Sequence, residues 1–302
     1  MSNSNWTSAE IASQKGKIIL ITGANSGLGL EAASVLSQKE ATVIMAVRNL
    51  EKGQAAMKQV LAQNPKAQVE LMQVDLSDLE SIAKFSEDFH ARFSRLDILL
   101  NNAGIMFPPK REVTKQGFEI QFGTNHLGHF ALTGLLLDLI KKTQGARVVT
   151  QSSIAHKFNG EINFPDLNWE KSYNEMKAYS QSKLANLLFT YQLDRLFKAH
   201  KINAIATASH PGVTATNLFR SNGIVSKMSS FIGQKVSMGT LPLLRAATEP
   251  HLVGAEYFGP PGVVGFRGFP KLLKSSNKSY NINLAQELWI VSEKLTGITY
   301  TF

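Results

Sequence analysis

The sequence predicts an α/β protein: one doubly wound parallel sheet of about seven strands, with helices on both faces. Short apolar, β-branched runs recur along the chain, helical patterns separate them, and most connections between the two are short. Continuous apolar runs suit parallel strands covered on both faces. The 302 residues suffice for one large core.

Candidate strands are residues 18–21, 42–47, 69–74, 96–100, 147–151 and 202–208, with a weaker seventh near 255–258. Between them, Leu184, Leu187, Leu188 and Tyr191 follow the spacing of a buried helix face, and Leu127, Phe130, Ala131 and Leu135 a similar one. Three segments break the rhythm: 155–177, 217–239 and 259–279. Long connections in a compact α/β domain are usually functional. Ligands in such sheets bind at the carboxyl ends of the strands. The first two segments are therefore expected to build a substrate pocket and its lid. No repeat or Pro/Gly-rich linker divides the chain.

The chain has no cysteine, which excludes disulfides, thiolate zinc sites and a cysteine nucleophile together. This fits a reducing cytoplasm. The opening MSNSNWTSAEIASQKGK has no long apolar run, so neither a signal peptide nor a stable membrane anchor is expected. Net charge is +9, but the basic residues are scattered. A nucleotide phosphate or simple solubility explains them better than nucleic acid.

The first strand runs into Thr22-Gly23-Ala24-Asn25-Ser26-Gly27-Leu28-Gly29, and a helical pattern follows. Glycines permit a tight turn and let backbone N–H groups approach a pyrophosphate, which the helix N-terminus also favours. The placement suits a Rossmann-type dinucleotide loop, although the spacing is G-x-x-x-G-x-G. The second strand ends Val47-Arg48-Asn49. An NAD enzyme usually places a carboxylate there for the ribose hydroxyls. Here a guanidinium stands at the tip, suited to a 2′-phosphate, with Ser26 as a further donor. NADP(H) is the expected cofactor.

Tyr179 and Lys183 are four apart on one helix face. A neighbouring ammonium stabilises a phenolate and makes tyrosine a usable acid/base. Ser153, closing the fifth strand, is placed to hydrogen-bond a substrate oxygen. Asn125 lies inside a helix, where propensity disfavours it, and is a candidate to hold a water against Lys183. His126 and His129 share a helix face, but no facing carboxylate–histidine pair is evident, so no metal site is expected. Ile105, Met106, Phe107, Phe158, Leu218, Phe219, Met228 and Phe231 are candidate pocket residues and suggest an apolar substrate.

In this order, TGANSGLG (22–29), NNAG (101–104), Asn125, Ser152-Ser153, YSQSK (179–183) and HPG (210–212) resemble the short-chain dehydrogenase/reductase family over nearly the whole chain. NHLGHF (125–130), AYSQSKLANLLF (178–189) and YFGP (257–260) resemble its retinol-dehydrogenase-like branch and bacterial relatives of that branch. The resemblance implies a catalytic tetrad of Asn125, Ser153, Tyr179 and Lys183. It implies cofactor contacts from Gly23, Asn25, Ser26, Gly27, Leu28, Gly29, Arg48, Asp75, Leu76, Asn101, Ala103, Gly104, Tyr179, Lys183, Pro211, Gly212 and Thr216, with Asn102 supporting the strand. Residues 14–150 would be mainly the cofactor-binding half, and 151–302 mainly the catalytic and substrate-binding half. The activity implied is hydride transfer between nicotinamide and a small-molecule carbonyl or alcohol. A non-catalytic NADP-binding sensor on the same fold is the alternative. Reduction of a carbon–carbon double bond is disfavoured, because related enzymes of that kind place a cysteine in the site. The gap of 26 residues from Ser153 to Tyr179 is long for the family but occurs in this branch. Animal members of the branch often carry an N-terminal membrane segment; without one, a membrane-embedded retinoid substrate is not expected. Relatives often pair through the helices holding Asn125 and Tyr179, so a homo-oligomer is open.

Overall fold

In a computed structural model, residues 5–158, 160–213, 233–262 and 265–302 are described. The sheet has the order β3-β2-β1-β4-β5-β6-β7-β8. Its strands are β1 (Ile18–Thr22), β2 (Thr42–Val47), β3 (Gln68–Gln73), β4 (Ile98–Asn101), β5 (Ala146–Gln151), β6 (Ala204–Ser209), β7 (Tyr257–Gly259) and β8 (Lys271–Leu272). The first seven pair in parallel, as expected. β8 is an eighth strand that the sequence does not announce, antiparallel to β7.

Side-chain alternation along each strand makes two cores. Ile19 and Ile21 of β1 face one side, packing with Ala32 and Leu36 of α1 (Gly27–Gln38) and Leu243 of α8 (Val236–Thr248). Leu20, between them, joins the opposite core. That core holds Phe85 and Phe89 of α3 (Leu79–Arg92), Phe130 of α5 (Gly128–Leu135), Phe189 of α7 (Glu175–Ala199) and Trp289 of α9 (Ile282–Thr296). The layers are closed by α2 (Leu50–Gln63) and α6 (Leu137–Lys142). Asparagines begin several helices by accepting a backbone N–H, as Asn174 does for α7 from Lys177.

The stretch expected as one helix around Asn125 is broken. A single turn, α4 (Ile120–Phe122), leads into a π-helical segment, Gly123–Leu127, before α5. Widened turns of this kind are frequent at functional sites. The C-terminal α9 lies against α7, and Trp289 stacks on Phe189 at 5.7 Å. It therefore covers part of the α7 surface. Among the described residues, no helix is long and apolar enough to cross a membrane.

Candidate active site

β1 and β4 are neighbours, yet the chain leaves them toward opposite sides of the sheet. At such a switch point the carboxyl ends open a crevice. The glycine loop follows β1, and Asn102–Gly104 follow β4, so both motifs reach the same crevice.

Thr22 ties them together. Its hydroxyl accepts N–H bonds from Asn102 (2.9 Å) and Ala103 (3.0 Å), while the Asn102 side-chain amide donates to the Thr22 carbonyl (2.9 Å). The Thr22 hydroxyl has two acceptors, the Leu100 carbonyl (3.2 Å) and His129. The His129 Nδ1–H donates to the Asn125 carbonyl (2.9 Å), which leaves Nε2 to accept from Thr22 (2.9 Å). Burial holds this imidazole neutral, with its pKa pushed down to about 4. The paired histidines therefore serve packing and hydrogen bonding: His126 Nε2 lies 2.9 Å from the Ser292 hydroxyl.

Two glycines are dictated by close approach. A Cβ on Gly29 would stand 2.3 Å from the Gly23 carbonyl oxygen, and one on Gly23 would stand 3.0 Å from Ala103 Cα. Gly23 also has φ of +68°. Ser26 is the N-cap of α1, but its hydroxyl makes no capping bond. The helix start thus offers unpartnered N–H groups and a hydroxyl to an anion.

The crevice is a cavity of about 320 Å³, walled by Gly23, Asn25, Ser26, Gly27, Leu28, Gly29, Asn102, Ala103, Gly104, Ile105, Met106, Gln151, Ser152, Tyr179, Lys183 and Pro211. A second cavity of about 160 Å³ continues past Gly23, Asn25 and Ala103 to Ala46, Arg48, Val74, Asp75, Leu76 and Thr124. Most of the residues expected to hold cofactor therefore converge. Arg48 is exposed at the end of β2, and among the described residues no carboxylate pairs with it. Asp75 is partly committed: its Oδ1 accepts from the Ser77 N–H (2.9 Å) and hydroxyl (2.6 Å).

Two expected contacts lie elsewhere. Asn101 does not reach the wall; its side chain is wholly buried and donates to Thr133 Oγ1 (3.0 Å). The neighbouring Asn102 lines the crevice instead, because side chains alternate as β4 ends. Gly212 turns away, and a Cβ there would meet the Phe266 carbonyl oxygen at 2.3 Å. Thr216 lies outside the described residues, as do Leu218, Phe219, Met228, Phe231 and most of segment 217–239.

Tyr179 and Lys183 sit on the first turns of α7, both buried. Lys183 Nζ donates to the Gln151 carbonyl (3.2 Å) and lies 5.6 Å from the centre of the Tyr179 ring. Burial pushes the lysine down to about 8 and the tyrosine up to about 12, while the Ser153 hydroxyl pulls the phenol back in part. The expected lowering of Tyr179 by its lysine is thus outweighed in the protein alone. Desolvation opposes both charges, and at the high pH where the phenol ionises Lys183 is already neutral.

Ser153 is positioned by the turn that follows β5. Its hydroxyl accepts the Ala155 N–H (3.2 Å), so its own proton points to the Tyr179 phenol. Its carbonyl accepts from His156 Nδ1 (2.5 Å), and His156 Nε2 accepts the Ser276 N–H (3.1 Å). Asn125 spends its amide on the chain: Oδ1 accepts Ile105 N–H (2.7 Å), and Nδ2 donates to the Ile105 carbonyl (2.9 Å) and to Ser182 Oγ (3.0 Å). Its Oδ1 and Lys183 Nζ both border Gly104, where a Cβ would stand 3.1 and 3.5 Å from them.

Segment 155–177 is mostly structural. Ile162, Phe164 and Leu167 pack with Phe122, Leu184 and Leu188. Phe158 lines a separate cavity with Lys157, His210 and Lys274 rather than the crevice. Sequence reasoning passed over Thr22, Gln151 and His156. Only the polar residue types at the strand ends signalled the first two.

The short chain dehydrogenase family model matches residues 17–224. Retinol dehydrogenase 12 of Mus musculus is 40% identical over 288 residues, covering 94% of this chain and 88% of that protein. The chloroplastic short-chain dehydrogenase TIC 32 B of Brassica napus is 38% identical over 289 residues, covering 91% and 87%. The crystal structure of an uncharacterized protein from Mycobacterium paratuberculosis matches with a TM-score of 0.82 at 41% identity, covering 99% of this chain and 100% of that one. A short chain dehydrogenase from Escherichia coli, complexed with NADPH, shares the fold at a TM-score of 0.62 and 24% identity, covering 78% and 92%. On these grounds the chain belongs to the short-chain dehydrogenase/reductase family of nicotinamide-dependent oxidoreductases, in its retinol-dehydrogenase-like branch.

Proposed function

We propose that the chain is an NADP(H)-dependent oxidoreductase acting on the carbonyl or alcohol group of an apolar small molecule, with Tyr179 as general acid/base. The observation that carries this reading is the convergence of the glycine loop, Tyr179 and Lys183 on one crevice. Arg48 at the adenosine end supports NADP(H) over NAD(H), since a guanidinium pairs with a 2′-phosphate. The close-packed Gly23 and Gly29, and the uncommitted Ser26 cap, fit a pyrophosphate.

The nicotinamide, when bound, supplies or accepts hydride at the substrate carbon. The chain does the rest. In the reducing direction Ser153 turns its hydroxyl proton from the Tyr179 phenol to the substrate oxygen and polarises it. Tyr179, held protonated by burial, transfers its proton to that oxygen. Lys183 would bind the nicotinamide ribose hydroxyls and, with Asn125 and a water, return a proton to Tyr179. Asn125 also fixes Ile105 and α7 around the site. Ile105 and Met106 give the crevice apolar surface. The cavities also fit the proposed division of labour: Gly23 to Gly104 serve mainly cofactor, and residues after 151 mainly chemistry.

The test is NADPH oxidation with a panel of apolar aldehydes and ketones, comparing wild type with Tyr179→Phe. Turnover that falls about a hundredfold or more in the variant supports the assignment. Tight NADPH binding with no turnover across the panel favours a sensor.

A further inference from the structure

Phe107 has a backbone that its residue type disfavours. Its φ is +55°, in the left-handed region that bulky side chains avoid. It also precedes Pro108, which favours an extended residue before it. Such strain persists only where the surroundings over-determine it, and it clusters at functional sites.

The surroundings here are specific. The Phe107 N–H donates to Gln121 Oε1 (2.9 Å). Gln121 is fully buried and spends its Nε2 on Tyr173 Oη (3.3 Å) and the Glu175 carbonyl (3.1 Å). Tyr173 Oη in turn donates to the Pro108 carbonyl (3.0 Å). One helical turn beyond Gln121, Asn125 holds both backbone groups of Ile105. Two buried amides and a phenol therefore fix the backbone from 105 to 108. The fixed loop presses the Phe107 ring edge-on against Tyr179, with centroids 4.9 Å apart at 69°. Lys183 Nζ approaches the same tyrosine ring.

We propose that Phe107 is a positioning residue for Tyr179, and that Gln121, bridging α4 to the start of α7, is the latch that holds it in its strained conformation. The ring restricts the tilt of the phenol toward the crevice and keeps water from that side. A glycine would relieve the backbone but leave Tyr179 without its support. The kinetic part of this inference rests on Tyr179 being the proton donor; the positional part does not.

The experiment labels the tyrosine rings of the full chain with carbon-13 and assigns Tyr179 by its loss in Tyr179→Phe. Phe107→Leu should move the Tyr179 ring signal. Gln121→Met, which keeps side-chain volume, should move it the same way, and Phe107→Tyr should return it close to wild type. Thermal melting gives an independent arm. Phe107→Gly should melt about 2 °C or more above Phe107→Ala, reversing the usual order of these residues, because glycine adopts this φ freely. In turnover, Phe107→Leu and Gln121→Met should lose about ten- to a hundredfold in kcat with NADPH affinity unchanged. An unmoved Tyr179 signal in Gln121→Met, or Phe107→Ala melting above Phe107→Gly, overturns the proposal. Full turnover in Tyr179→Phe would instead overturn the proton-donor reading and leave the signal and melting arms to decide this one.

Discussion

Replacing Lys183 by methionine should destroy turnover and yet stabilise the fold at neutral pH. Lys183 is 4% exposed, and desolvation lowers its pKa from 10.5 to about 8. At about 1.4 kcal/mol per pH unit, keeping the ammonium in that place costs about 3 kcal/mol. Methionine fills similar space without charge but loses the bond to the Gln151 carbonyl, worth about 1 kcal/mol. The net expectation at pH 7 is a gain of about 2 kcal/mol. The sign follows from proton counting. Between about pH 8 and 10.5 the unfolded chain keeps the lysine proton while the folded site releases it. The unfolded state then binds more protons, so wild-type stability rises with pH across that window and the penalty is present in full below it. Lys183→Met lacks this slope, and its advantage should shrink to almost nothing by about pH 9.5. Urea unfolding of both proteins at the two pH values measures this. A variant less stable than wild type at pH 7, or an advantage equal at both, would refute the reasoning.

Other consequences are as direct. Gly29→Ala places a Cβ 2.3 Å from the Gly23 carbonyl oxygen and 2.7 Å from Asn102 Nδ2, so the turn must open; calorimetry should find NADPH affinity reduced at least about tenfold with the fold retained, and unchanged affinity would contradict the packing. His156 holds Ser153 through Nδ1 and Ser276 through Nε2. Asparagine can imitate the first nitrogen and glutamine the second, so His156→Asn should retain more kcat than His156→Gln; the reverse order would mean that the Ser276 contact matters more. Because Tyr179 is pushed up to about 12, it stays protonated across the neutral range. NADPH-driven reduction should therefore show no loss of the tyrosine proton below about pH 9, whereas a basic limb near 7 in the pH profile would contradict that.

Much of the sheet was legible because β1 and β2 are buried on both faces and read as apolar runs, residues 18–21 and 43–47, while β5 and β6 keep apolar or small residues at most positions. Boundaries slipped where that cause fails. Leu96 and Asp97 are buried but precede β4, and Asp97 is occupied with the Ile18 N–H and the Arg95 guanidinium. β8 is two exposed residues paired with β7, too short to carry a period. The convergence of the glycine loop with Tyr179 and Lys183 was legible because tight turns and a shared helix face demand particular residue types at fixed spacings. Less visible were features set by tertiary fit: the π-helical turn at Asn125, the left-handed Phe107, and the exchange of Asn101 for Asn102 at the crevice wall. The direction of the Tyr179 shift was also hidden. Spacing placed a lysine beside the phenol but said nothing of how deeply both are desolvated.

The most direct test of the account is isothermal titration of wild type and Arg48→Ala with NADPH and with NADH. The account predicts that NADPH binds wild type at least about tenfold tighter than NADH, and that Arg48→Ala removes the preference without abolishing binding. NADH binding wild type as well as NADPH does would contradict the phosphate assignment, and failure of both to bind would contradict the cofactor crevice itself.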